Sequence, residues 1–205
     1  MHTDGTRASW VPRYYPETRT RRRLPLLYAV FVPLSGLLFF LYRQPHQFTD
    51  KRFLYALPLW FAGGIVLCVL SFLITGFPLR NLSGLLRSML SAFTVHRSIV
   101  QQQAAFLISL LEEMCYRYFL LLFLSDKLRS FVLASLVTSA LFTLMHFCVQ
   151  RKPGGIRRYA DLFIFSLALC LANIATRSFY PAFILHGIRN YVLRVLLVPK
   201  VKSDA

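Results

Sequence analysis

Residues 24–42 form a run of 19 side chains without a charge, and residues 53–75 form a second run of 23. At about 1.5 Å per residue, either run coiled as a helix reaches across the roughly 30 Å hydrocarbon core of a bilayer. The chain around them has 205 residues, 56% hydrophobic and 15% aromatic, which excludes disordered and fibrous architectures. Its 24 Lys and Arg against 8 Asp and Glu give a formal charge of +16. A nucleic-acid binder presents such residues on a polar surface. Here they lie between apolar runs, so the partner they imply is the lipid bilayer and not a nucleic acid.

The tail 1–23 ends in Arg21, Arg22 and Arg23, like the start of a signal peptide. The apolar run behind it is longer than a signal peptide's, and no small-x-small cleavage site follows; this predicts a retained first span. The second run should end at Gly76, Phe77 and Pro78. Four further spans are expected over residues 103–124, 128–149, 159–176 and 181–198. Before them, Leu82, Leu85, Leu86, Met89, Leu90 and Phe93 recur at helical spacing. They predict an amphipathic helix, either lying on the membrane surface or packed against the bundle. The expected fold is all-α: a polytopic membrane helix bundle of about six transmembrane helices plus one amphipathic interfacial helix. It divides into a basic cytoplasmic tail (1–23), a single transmembrane domain (24–198) and a cytoplasmic tail (199–205). Six alternating spans collect 15 Lys and Arg on the side of the two termini and 6 on the other. By the positive-inside rule both termini are then cytoplasmic, in a multi-pass protein of the plasma (inner) membrane if the source is bacterial. Cys68, Cys115, Cys148 and Cys170 all fall inside apolar runs without CxxC spacing, so no disulfide framework is expected.

Two of the few acids, Glu112 and Glu113, are adjacent in the middle of the third expected span, and Arg117 follows them. Three charges at the centre of a span oppose insertion by about 8–10 kcal/mol unless they pair or neutralise. Glu113 and Arg117, at i,i+4 with the acid first, can pair within the helix. Glu112 lies about 140° around an α-helix from Arg117 and is left as the unpaired acid. His146 falls in the fourth span, and His186 and Asn190 share one face of the sixth. Polar side chains at this depth normally face a bundle interior or a wet cavity. The depths, at 1.5 Å per residue, are about 12 Å from the cytoplasmic end for Glu112 and Asn190, about 18 Å for His186 and less for His146. A cavity opening to the cytoplasm would hold all four.

Amide hydrolysis needs a base to activate water, donors for the developing oxyanion and a proton for the leaving amine. Glu112 and His146 suit the first and last roles, and His186 with Asn190 the second. No Gly-x-Ser-x-Gly elbow marks a serine nucleophile, and HExxH is absent.

Glu112-Glu113-Met114-Cys115-Tyr116-Arg117 fits EExxxR, Phe142 to His146 fits FxxxH, and His186 to Asn190 fits HxxxN. Three such motifs in order on successive apolar segments resemble the CPBP family of intramembrane proteases, also called the ABI or CAAX-protease family, which includes the Ras-converting CAAX endopeptidases. The resemblance covers roughly residues 101–191. It implies a glutamic-type intramembrane endopeptidase acting on a membrane-anchored peptide or protein, CAAX-like or a precursor peptide. In it Glu112 is the water-activating base assisted by His146, Glu113 and Arg117 support the site, and His186 with Asn190 forms the oxyanion hole. No cofactor is expected. Zinc is possible in principle but not favoured, because pairing of His186 with Asn190 and of Glu113 with Arg117 leaves too few ligands. Two other classes stay open: a non-catalytic scaffold or immunity protein of the same fold, and a proton-coupled transporter, since buried Glu and His also build proton relays. Arg189 is a candidate either for a substrate carboxylate or for structural pairing.

Overall fold

The computed structural model describes residues 37, 55–76, 82–84, 86–87, 99–149 and 155–197. The first expected span, apart from residue 37, and both tails lie outside them. The described chain is all-α, with no strand among the described residues. Helix α1 is Leu57–Ile74 and α2 is Ile99–Glu113; a π-helical segment, Met114–Leu120, continues directly into α3, Leu121–Leu128. Then follow α4 (Phe131–Val149), α5 (Ile156–Thr176) and α6 (Tyr180–Leu197).

The helix ends have local causes. Gly76 takes φ 98° and closes α1, where its N–H meets the Leu73 carbonyl at 3.0 Å. Arg129 and Arg177 adopt left-handed conformations at the ends of α3 and α5. Ser130 then caps α4, its Oγ accepting the Leu133 N–H at 3.3 Å. These stops turn α3 back along α4 and α5 back along α6, so consecutive helices pack as antiparallel neighbours. Helix α6 lies at the centre, against α1, α2 and α5.

Helices α1, α4 and α5 are long and apolar enough to cross a membrane. Their polarity is arranged for lipid. On α4, Val132, Leu136, Leu144 and Phe147 point outward, while Ala134, Ser135, Thr138 and Ser139 face the interior. Small and polar residues between helices, with large apolar ones outside, are what packing in hydrocarbon favours. The chain is an integral membrane protein. Of the expected amphipathic helix only residues 82–84 and 86–87 are described; they are helical, and Leu82 packs on the Cys68, Phe72 and Val192 cluster, a contact with the bundle.

One expectation needs correction. The third helix starts at Ile99, before the expected start of the span at residue 103, and runs unbroken to Leu128, with Glu112 about 20 Å along the axis from Ile99 at 1.5 Å per residue. Beyond Glu113 the backbone is π-helical, so the 140° separation of Glu112 and Arg117 does not apply to it.

Candidate active site

Helices α2 and α6 run antiparallel and meet through two polar rungs. Glu113 Oε1 lies 2.7 Å from His186 Nδ1, and Asn190 Nδ2 donates to Ser109 Oγ at 2.9 Å. The close approach depends on Gly187, where an added Cβ would fall 2.4 Å from Cδ1 of Phe106 on α2. Phe106 is itself held between Phe183 and Tyr191 and has little room to give. Gly187→Ala is therefore expected to cost about 1–3 kcal/mol through overpacking. Thermal unfolding in detergent measures it, and Phe106→Leu in the same chain should recover part of the loss.

Both acids of EExxxR reach His186, from opposite sides of the ring. Glu113 takes Nδ1, and Glu112 Oε2 lies 3.4 Å from Nε2. Glu113 is fully buried, whereas the Glu112 side chain keeps 19% exposure. Only Glu112 can meet a water or a peptide without rearrangement. A protonated His186 donates to both carboxylates. With Nδ1–H on Glu113, a neutral ring presents a lone pair to Glu112, which bonds to it only when the acid carries the proton. A hydrogen bond across this contact needs one proton between the two groups.

Glu113 is held in turn by Arg117, whose Nη1 lies 3.0 Å from the same Oε1. This confirms the i,i+4 pair. The other arm of the guanidinium donates to Ser166 on α5, to Oγ at 2.8 Å and to the carbonyl at 3.1 Å. Phe142 packs at the centre of the cluster, with Cζ of Arg117 4.9 Å from its centroid and the His146 and His186 rings at 4.4 and 6.0 Å. The FxxxH spacing also gives His146 its orientation. Nδ1 lies 2.9 Å from the Phe142 carbonyl, which can only accept, so Nδ1 carries the hydrogen and a neutral ring offers Nε2 as an acceptor. His146 is half-buried and close enough to Glu112, His186 and Arg189 to feel their charges.

The expected pairing of His186 with Asn190 is not present: the first is taken by the two glutamates and the second by Ser109. Glu112, unpaired within its own helix, faces His186 on another. Arg189 is committed to structure, with Nη2 2.6 Å from Asp161 on α5, Nε donating to Ser71 on α1 at 3.1 Å and Cζ 4.2 Å from the Phe165 centroid. Sequence reasoning passed over Ser109, Ser166 and Asp161. Asp161 alone carried a signal, as an acid inside an expected span. Glu113 is taken up by Arg117 and His186, and among the described residues no three His, Cys, Asp or Glu side chains are grouped to hold an ion; with Nδ1 of both histidines bonded, Nε2 is the ring atom each has left for a ligand.

No curated protein and no solved structure matches the chain. The family model described as type II CAAX prenyl endopeptidase Rce1-like matches residues 94–192, a little under half the chain but all three motifs. Over that segment, which runs from before α2 into α6, the chain is similar to the Rce1-like CAAX protease family.

Proposed function

We propose that the protein is an intramembrane endopeptidase that hydrolyses a peptide bond near the C-terminus of a prenylated, membrane-anchored substrate. The observation that carries this reading is the contrast between the two adjacent acids: one sealed against Arg117, the other partly exposed beside the His186 imidazole. A water held by Glu112 and by Nε2 of His146 loses a proton to Glu112 as its oxygen adds to the scissile carbonyl. The oxyanion that forms accepts hydrogen bonds from the Asn190 amide and from His186, whose Nε2–H turns from Glu112 to the substrate. As the C–N bond breaks, the proton passes to the leaving amine, assisted by His146, and Glu112 is regenerated. The family name supports the substrate class, and the apolar surroundings suit a lipid-modified chain. In this reading both termini and the mouth of the site are cytoplasmic, which the excess of Lys and Arg on the side of the termini supports.

The test is cleavage of a farnesylated, membrane-anchored peptide by the reconstituted protein, beside the same peptide anchored without a prenyl group. Cleavage of the first by wild type and its loss in Glu112→Gln are expected; equal cleavage by both proteins would end the proposal. The reaction should also proceed after exhaustive chelation and dialysis. Loss of activity restored by added zinc would show that the donors rearrange around a metal.

A further inference from the structure

The proteolytic reading assigns Asn190 to the oxyanion but leaves open what turns its amide the right way round. We infer that Ser109 is a positioning residue for that reaction, holding the Asn190 amide so that an N–H, and not the carbonyl, is presented to the substrate. The inference rests on the proteolytic reading.

The Ser109 contact is one of two rungs with the same register. Moving from Ser109 to Glu113 on α2 corresponds to moving from Asn190 back to His186 on α6. Each polar end of HxxxN is thus held by a residue of α2, and Phe106 seated over Gly187 holds the helices at that spacing. Ser109 is fully buried, so no bulk water competes for its hydroxyl. Its oxygen accepts one N–H of Asn190. The second N–H on the same nitrogen remains for a developing negative charge. Turned over, the amide would offer Oδ1, an acceptor that repels an oxyanion. Ser109 would then have to point its hydrogen across the interface, away from the carbonyls of its own helix.

The test uses the reconstituted full chain and the farnesylated peptide. Ser109→Ala should lower kcat about 10-fold with KM within about two-fold, the signature of a contact that matters only as charge develops. Ser109→Thr, which keeps the hydroxyl, should restore most of it. In an Asn190→Ala background Ser109→Ala should change kcat by less than about two-fold, because the residue acts only through the amide. A readout without activity is available too. The chain has three asparagines, Asn81, Asn173 and Asn190. In a sample isotope-labelled at asparagine, the Asn190 side-chain amide resonance, identified by its loss in Asn190→Ala, should move in Ser109→Ala and stay near its place in Ser109→Thr. An unmoved resonance, or an equal fall in kcat with and without Asn190, would overturn the assignment. If wild type does not cleave while the resonance still responds to Ser109→Ala, the proteolytic reading fails and the Ser109 to Asn190 coupling stands.

Discussion

Glu112→Gln should lower kcat for peptide cleavage about a hundred- to ten-thousand-fold, the usual contribution of a positioned general base, and leave the protein folded. Glutamine keeps the size of the side chain and can still hydrogen-bond His186, but it cannot take a proton from water. The neighbouring substitution should behave in the opposite way. Glu113 is buried against Arg117 and His186, so Glu113→Gln strands a guanidinium in the bundle. Removing one partner of a buried ion pair costs about 3–5 kcal/mol. Glu113→Gln is therefore expected to lower the unfolding midpoint in detergent sharply, with activity lost because folded protein is lost. The pair of measurements separates chemistry from architecture at two adjacent positions. Glu112→Gln retaining wild-type cleavage, or Glu113→Gln melting with wild type, would contradict the division of roles.

Much of this arrangement was legible in the chain because it depends on spacing along one helix. Glu113 and Arg117 meet as i,i+4 neighbours, Gly76 ends α1, and the fifth span stops at Thr176 before Arg177. What was not legible depends on register between helices. Whether His186 meets Asn190 or Glu113 is decided by how closely α2 approaches α6, and that distance is set by a glycine opposite a phenylalanine, Gly187 against Phe106, a pairing with no periodicity to read. Ser109 and Ser166 gave no warning because a serine in a membrane helix is ordinary until its partner is known. The π-helical turn was hidden for a similar reason. Met114–Leu120 is a run of good helix formers and aromatics, and nothing in its composition distinguishes five-residue from four-residue hydrogen bonding.

The second large effect belongs to a cluster that the proposed chemistry does not use. Arg189, Asp161 and Ser71 join α6, α5 and α1 beside the site, with both charged groups almost wholly buried. Arg189→Met alone leaves the Asp161 carboxylate in the interior and should cost about 3–5 kcal/mol. Asp161→Leu alone leaves the guanidinium, with a similar loss. The double substitution removes both charges and fills their volume with apolar atoms, so it should recover most of the stability, since apolar replacements of buried ion pairs are often neutral or better. Equilibrium unfolding of the four proteins in one detergent gives the coupling directly. The same four bear on function, because Arg189 is the residue next to Asn190. If the pair only holds helices in place, the double variant will cleave the farnesylated peptide with a KM close to wild type. A KM raised many-fold in a protein as stable as wild type would instead mean that Arg189 leaves Asp161 to bind the carboxylate at the end of the substrate.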